Sequence, residues 1–220
     1  MLILWINLDR SVERRQFMTD QLNIYRDTHP FILIERVVAI PNRNGITGCM
    51  LSHFKAIKLG HSIATDKNIP YFAVLEDNFQ LVAPINWPKL ADSAPPDWMV
   101  LQLQTSNPTY SGWDTRFIPY KKAHWGAKIY LVKTETCLSL INYIQSDPRR
   151  LRRDADQVVF EGVQCYTLVR PIGLIRNFPS TIANWHSRFA NRFLSKFGPH
   201  NLTSHPFWHL EKYNNIEEKN

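Results

Sequence analysis

The sequence has few cysteines, few glycines and no repeats, and each shortage excludes a class of protein. Three cysteines in 220 residues are odd in number and far apart, which argues against a disulfide framework and against a zinc cluster. We predict buried structural thiols at Cys49, Cys137 and Cys165, and a reducing compartment. Eight glycines and fourteen prolines indicate many loops but form no low-complexity tract, and no solenoid-like repeat is present.

Long apolar runs are also lacking. The apolar segment 1–8 ends at Asp9 and Arg10, too early for a signal peptide. No stretch approaches the ~20 apolar residues of a membrane span. We therefore expect a cytoplasmic protein with no transmembrane segment, with peripheral membrane binding left open. The sequence indicates no particular oligomeric state.

The net charge of +7 suggests an anionic partner. Nucleic acid is one candidate, but the basic residues are dispersed except at 149–153. No nucleic-acid module signature accompanies that cluster. A small substrate that carries phosphate explains the charge equally well, and we expect such a substrate and no nucleic-acid partner. A nucleic-acid-binding protein is the competing interpretation.

Apolar runs of strand length alternate with segments of helical periodicity. The second helix is expected to be capped by Thr47, the third by Thr134, and the first by Asp9 or Ser11. This alternation predicts one α/β domain with a mostly parallel sheet over 1–197, followed by a tail or extension over 198–220. Ligands of such sheets bind beyond the carboxyl ends of the strands. The predicted strands are 2–8, 32–38, 71–75, 98–103, 128–132 and 165–169.

Each predicted helix has an apolar face that we expect to turn inward. The apolar face of the first predicted helix consists of Met18, Leu22 and Tyr25. That of the second consists of Met50, Leu51, Phe54, Ile57 and Ala64, and that of the third consists of Leu138, Ile141 and Ile144.

Acidic residues follow the third predicted strand. Four apolar residues run into Glu76, Asp77 and Asn78 at the expected carboxyl edge of the sheet. Oxygen ligands in this position can hold a hard divalent cation, which would neutralise a diphosphate. The alternative is a strand-to-loop junction with solvated acids.

Polar and basic residues also follow the first strand. Asn7 and Asp9 lie at its end, and Arg10, Arg14 and Arg15 follow in the loop and the first helical turns. With the free N–H groups of a helix, such side chains could meet a phosphate. Helix capping with surface arginines is the competing interpretation.

Three further residues could contribute to the same site. Ser52 and His53 lie near the start of the second helix, where His53 either faces a ligand or makes a structural hydrogen bond. Asp156 could act as a general base that deprotonates a hydroxyl. In isolation, an aspartate in this position is more often a helix cap.

Taken together, these segments resemble glycosyltransferase family 25, which includes lipooligosaccharide and procollagen galactosyltransferases. The pattern consists of I-N-L-D-R-S-x-E-R-R, then G-C-x-L-S-H about forty residues on, then V-L-E-D at a strand end. Residues 125–131 resemble the family's glycine-plus-strand element, 155–157 its V-D-x element and 180–182 its S-x-I element. The resemblance runs collinearly over 2–183.

The resemblance implies a GT-A-like, Rossmann-type three-layer fold and a UDP-hexose donor, usually UDP-galactose, with galactose or glucose as the transferred sugar. It also implies a divalent cation, typically Mn²⁺, inversion at the anomeric carbon, and a glycan or hydroxylysine-type protein acceptor. Asp156 would be the acid closest to acceptor chemistry, and Asp77 and Asn78 would hold the metal. The residues expected at the nucleotide sugar are Asn7, Asp9, Arg10, Arg14, Ser52, His53 and Glu76.

The chain departs from the family at one position. The family usually reads E-D-D, whereas this chain has Glu76, Asp77 and Asn78. An amide offers a neutral oxygen in place of a charged one, so metal affinity should fall. Two alternatives remain open: an active transferase, or a weakened module that binds a nucleotide sugar or glycan. The segment 104–122, with Tyr110, Trp113 and Tyr120, is a candidate wall for the acceptor.

Overall fold

A seven-stranded sheet forms the centre of the computed structural model, which describes residues 1–107, 114–176 and 178. The predicted tail 198–220, the aromatic residues Tyr110 and Trp113, and the segment 180–182 lie outside the described residues. The strands of the sheet are β1 (Leu2–Asn7), β2 (Leu33–Val38), β3 (Tyr71–Glu76), β5 (Val100–Gln102), β6 (Phe117–Pro119), β7 (Ile129–Lys133) and β8 (Cys165–Leu168). Their spatial order in the sheet is β2-β1-β3-β7-β5-β8-β6.

Five strands of this sheet run in one direction. β1 is parallel to β2 and β3, and β5 is parallel to β8. β7 lies antiparallel between β3 and β5, and β6 is antiparallel to β8. The predicted α/β domain with a mostly parallel sheet is therefore confirmed, with an antiparallel strand at its centre.

Helices cover both faces of the sheet. They are α1 (Val12–Thr28), α2 (Gly45–Asp66), α3 (Trp87–Asp92), α4 (Cys137–Gln145) and α5 (Ala155–Glu161), and a 3-10 helix spans Pro148–Arg152. In β1, Leu4 and Ile6 pack with α2, α4 and α5, while Ile3 and Trp5 pack with α1 and α3. Because side chains alternate along a strand, a fully apolar β1 fits a sheet buried on both faces.

Two of the predicted helix starts are wrong. α2 begins earlier than expected because the Asn44 side chain, not Thr47, accepts from the N–H groups of Ile46 and Thr47. α4 begins at Cys137 with Thr136, not Thr134, as its N-cap. The first helix does follow Ser11, although the Ser11 side chain makes no capping hydrogen bond.

The predicted apolar faces are mostly buried. Met18, Leu22 and Tyr25 of α1 face the core. Two predicted positions differ: Leu51 is only partly buried, and the exposed fraction of Leu138 is 54%. The inward stripe of α4 is instead Cys137, Leu140, Ile141 and Ile144.

A second, two-stranded sheet follows the acidic segment. β4 (Phe79–Gln80) pairs antiparallel with β9 (Leu174–Ile175). The main-chain N–H of Arg176 also donates to the Asn78 carbonyl at 2.7 Å. This sheet ties the chain leaving β3 to the segment that follows β8.

The expectations drawn from composition can be compared with the described residues. Cys137 and Cys165 are buried free thiols, whereas Cys49 is only partly buried. Among the described residues, no helix combines the length and apolarity required to cross a membrane.

Candidate ligand site at the carboxyl edge of the sheet

A pocket lies beyond the carboxyl ends of β1 and β3, between the first turns of α1 and α2. The position follows from topology, because β1 and β3 are parallel neighbours whose polar ends meet at one edge. The predicted site residues that line it are Asn7, Arg10, Arg14, Ser52, His53, Glu76 and Asp77.

Asp77 is the most heavily engaged acid in the pocket, and 7% of it is exposed. Its Oδ1 accepts from Arg14 Nη1 at 2.7 Å, and its Oδ2 accepts from Asn7 Nδ2 at 2.8 Å. Both partners were predicted for the site from other segments. The structure thus joins the first and third predicted motifs through one buried carboxylate.

Asn7 is itself held by a residue that the sequence did not suggest. Arg36 of β2 donates to Asn7 Oδ1 from Nη2 at 2.9 Å and from Nε at 3.2 Å. The same Nη2 donates to Asp9 Oδ1 at 2.6 Å. Asp9 therefore lies outside the pocket lining as a mostly exposed partner of Arg36. Arg36 sits next to Asn7 because Trp5 and Arg36 are register partners of β1 and β2.

Glu76 forms an ion pair with a second residue that was not predicted. Its Oε2 accepts from Lys128 Nζ at 2.5 Å, and its Oε1 lies 3.6 Å from His53 Nε2. Burial opposes ionisation of Glu76, but the Lys128 ammonium and the contacts with His53 outweigh it. The pKa of Glu76 is consequently held well below its ordinary value. Burial opposes the charge on Lys128, and Glu76 outweighs that penalty and raises the Lys128 pKa.

His53 and Cys49 occupy one face of α2, four residues apart. His53 is buried, and its Nδ1 lies 2.9 Å from the Tyr130 hydroxyl. Burial raises the pKa of the Cys49 thiol, and the nearby charge of Glu76 raises it further. Both side chains reach the floor of the pocket, beside Glu76.

Ser52 performs a structural task at the pocket rim. Its hydroxyl donates to the Gly48 carbonyl at 2.6 Å and accepts from the Ile40 N–H at 2.8 Å. The segment after β2 also lies against Gly48, where an added Cβ would be 3.0 Å from the Ile40 oxygen. These contacts hold residues 40–42 against the start of α2.

Asp156 lies in the first turn of α5, where the helix cap is Asp154. Its Oδ2 accepts from the Gly126 N–H at 2.6 Å, and its Oδ1 accepts from the Gln157 N–H at 2.8 Å. Burial raises the pKa of Asp156 despite these hydrogen bonds, and the charges of Asp154 and Glu76 raise it further. Asp156 is thus a partly exposed carboxylate outside the pocket lining but within electrostatic reach of Glu76.

The acidic segment does not fit a hard cation held by Asp77 and Asn78. Both oxygens of Asp77 have donors, and Arg14 already neutralises its charge. Asn78 Oδ1 is buried and has no hydrogen-bonding partner among the residues that the structure describes. A cation there would need ligand oxygens that this arrangement already uses or encloses.

The chain matches no protein-family model and no curated protein. Its fold is similar to solved structures at low sequence identity. One is a glycosyltransferase involved in the glycosylation of the major capsid of PBCV-1, with 10% identity over 73% of this chain and 74% of that chain, and a TM-score of 0.45. Another is A197 from STIV, with 14% identity over 81% and 86% of the two chains, and a TM-score of 0.48.

A third similar structure is a mutant Drosophila β1,4-galactosyltransferase 7 in complex with manganese, UDP-Gal and xylobiose. It has 12% identity over 63% of this chain and 51% of that chain, with a TM-score of 0.35. Two of these three proteins are glycosyltransferases. The similarities concern the fold alone.

Proposed function

We propose that the chain is a glycosyltransferase that transfers a hexose, galactose or glucose, from a UDP-sugar to a hydroxyl of a glycan or a hydroxylysine-type acceptor, with inversion. The main support is the meeting of separate motifs at one edge of the sheet. The segments that resemble glycosyltransferase family 25 begin at residues 6, 48 and 74, yet several polar residues from each line one pocket. Membership of that family is part of the proposal.

The nucleotide diphosphate is placed at the basic side of the pocket. Arg10 and Arg14 line the pocket next to the start of α1. Guanidinium groups bind phosphate oxygens through paired hydrogen bonds, and a helix N-terminus favours negative charge. Arg14 is already oriented by Asp77 at 2.7 Å, so it needs little reorganisation to receive an anion.

Asp156 is proposed as the general base. Its raised pKa makes it a stronger proton acceptor than an ordinary carboxylate. It would take the proton of the acceptor hydroxyl as that oxygen bonds to the anomeric carbon. The bond from that carbon to the UDP oxygen breaks on the opposite face, and the electron pair leaves with UDP. Positioning and stabilisation of the leaving charge are then the main tasks of the protein.

A second candidate is a module that binds the nucleotide sugar or glycan without turnover. It is favoured by Asn78 in place of an acid and by the engagement of Asp77 with Arg14. Mn²⁺ dependence, expected from the family, stays a prediction. A hydrolysis screen of UDP-galactose, UDP-glucose and other nucleotide sugars with Mn²⁺, Mg²⁺ or chelator addresses both points. Tight UDP binding in calorimetric titration, together with no hydrolysis of any nucleotide sugar under any of these conditions, would favour the binding module.

Asp156→Asn tests the assignment of the base. We expect transfer or donor hydrolysis to fall by about 10²- to 10⁴-fold, with UDP affinity in calorimetry unchanged. Asp154→Asn is the matched control, since Asp154 lies two residues away, is exposed and makes no side-chain capping bond. Because its charge contributes only a minor part of the raised pKa of Asp156, after burial, we expect a small loss. Full activity of Asp156→Asn would remove Asp156 from the mechanism, and equal loss in both variants would indicate a structural effect on α5.

A further inference from the structure

Three side chains with different ligand atoms converge on the pocket floor. Cys49 and His53 project from the same face of α2, and Glu76 ends β3. Their ligand atoms, the sulfur, a ring nitrogen and a carboxylate oxygen, all lie within 4.8 Å of one another. The UDP-sugar chemistry proposed above gives no role to this combination of sulfur, nitrogen and oxygen.

The orientation of His53 is the second observation. His53 is 1% exposed, and its Nε2 is buried with no hydrogen-bonding partner among the described side chains and backbone. Its Nδ1 lies 2.9 Å from the Tyr130 hydroxyl, and the two rings are stacked. In the metal-bound form Nδ1–H donates to Tyr130, and Nε2 presents a lone pair to the metal in place of the proton that otherwise faces Glu76 Oε1 at 3.6 Å. An outer partner on the second ring nitrogen is the usual support of a metal-binding histidine.

We propose that Cys49 Sγ, His53 Nε2 and Glu76 Oε1 form a binding site for a borderline-soft divalent cation of the Zn²⁺ type. Metal–ligand bonds of about 2.1 Å in tetrahedral geometry place neighbouring ligand atoms about 3.4 Å apart. The Nε2–Oε1 separation is 3.6 Å, close to that edge length. Three protein ligands leave a fourth position that faces the pocket.

The local charges suit a divalent cation. Binding replaces the proton of the Cys49 thiol, which is released to solvent. The thiolate and the Glu76 carboxylate then supply two negative charges to the site, of which Lys128 shares that of Glu76. Glu76 Oε2 stays paired with Lys128, which becomes an outer partner of the site. Glu76 and Asp156, whose negative charges disfavour the free thiolate, favour the bound cation.

The ligand types set the selectivity of the site. Thiolate and imidazole prefer Zn²⁺ or Co²⁺, whereas Mg²⁺ and Mn²⁺ prefer oxygen ligands. The site is therefore distinct from the hard-cation site predicted at Asp77 and Asn78. Cation binding can be measured without a nucleotide sugar. Its test is therefore independent of the proposed glycosyl transfer.

Titration of the chelator-treated full-length chain with Co²⁺ tests the site. We expect a thiolate-to-cobalt charge-transfer band in the near ultraviolet that saturates at one equivalent. Zn²⁺ should displace the cobalt, and an equal concentration of Mg²⁺ should not. A Co²⁺ ion bound elsewhere by imidazole or carboxylate would give no such band. Absence of the band in the wild-type chain would overturn the proposal.

Variants identify the ligands. Cys49→Ser should abolish the band, and His53→Gln should weaken Co²⁺ binding by at least about tenfold. Cys165→Ser is the control, because it removes a buried thiol of β8 and should leave the band unchanged. Circular dichroism verifies the fold of each variant. A band that persists in Cys49→Ser, or disappears only in Cys165→Ser, would also overturn the proposal.

Discussion

The ion pair of Glu76 and Lys128 couples the pocket to protein stability. The side chains are only 18% and 22% exposed, and their charged atoms lie 2.5 Å apart. Loss of one partner from a pair this sheltered leaves a charge without compensation. The depressed pKa of Glu76 means that the folded state holds this carboxylate ionised at pH values where the unfolded chain binds a proton.

Glu76→Gln should therefore change the pH dependence of unfolding. A carboxylate whose pKa is depressed in the folded state stabilises that state at pH values above its pKa in the unfolded chain, which is about 4.3. This stabilisation is lost as the pH falls toward the pKa of the folded state. In chelator, we expect the variant to be about 3 kcal/mol less stable than wild type at pH 7. The difference should shrink as the pH is lowered to about 3. Urea denaturation at each pH measures it.

Glu135→Gln is the control for this experiment. Glu135 also forms an ion pair with a lysine, Lys133, at 3.5 Å, but its side chain is 74% exposed. Exposed pairs of this kind contribute little, so the control should follow wild type at every pH. A difference between Glu76→Gln and wild type that stays constant from pH 7 to pH 3 would contradict the assignment.

Helix α2 packs directly against the sheet at Gly60, and this packing helps to position Cys49, Ser52 and His53. Gly60 makes the approach possible. A Cβ added there would lie 2.4 Å from a Phe72 ring carbon and 2.6 Å from Leu4 Cδ1. Gly60 does not have a positive φ angle, so its backbone conformation does not require glycine. The requirement for a small residue at this position is therefore steric.

Gly60→Ala should destabilise the protein by about 1–3 kcal/mol through overpacking. The better helix propensity of alanine, worth about 1 kcal/mol, offsets part of this cost. Ser62→Ala is the control on the exposed face of the same helix, where we expect a change within about 0.5 kcal/mol. The denaturation midpoint measures both. A Gly60→Ala protein as stable as Ser62→Ala would show that α2 can move away from the sheet at little cost.

The sequence predicted those elements whose local pattern is strong. β1 and β3 were recognisable as apolar runs that end in polar residues, and the parallel-sheet rule placed those ends together. β7 was recognised as a strand, but its antiparallel insertion between β3 and β5 was not predictable. That pairing brings Lys128 to Glu76 and Tyr130 to His53. Such contacts depend on long-range strand order, which no local periodicity encodes.

The shortest elements were missed for a different reason. β4 and β9 contain two residues each, too few to show a period of two. Arg36 was also missed, because its contact with Asn7 depends on the register of β2 relative to β1. The residue types of the pocket were therefore predictable, whereas the partners that orient them required the three-dimensional pairing.

At the scale of the whole molecule, the effect of the net charge of +7 depends on how many basic side chains form ion pairs with nearby acids. In the basic cluster 149–153, Arg149 contacts Asp147 and Arg153 contacts Glu161. Arg150 lies over the Tyr143 ring. These contacts leave less of the cluster available for a nucleic-acid backbone than its sequence suggests. Of the pocket arginines, Arg14 is likewise paired, with Asp77, and Arg10 lines the pocket beside it.

Thermal unfolding distinguishes the two anionic partners. If the pocket binds UDP, UDP at 100 times its dissociation constant should stabilise the protein by about 2.7 kcal/mol, which raises Tm by roughly 5–10 °C for a chain of this size. Arg14→Gln should reduce this shift, and Arg15→Gln should retain it, since Arg15 follows directly in α1 but lies outside the pocket lining. An oligonucleotide at moderate salt should leave Tm unchanged, because phosphate-backbone binding weakens steeply with salt. A shift with the oligonucleotide and none with UDP would reverse the choice of partner and remove the basis for placing a diphosphate at Arg14.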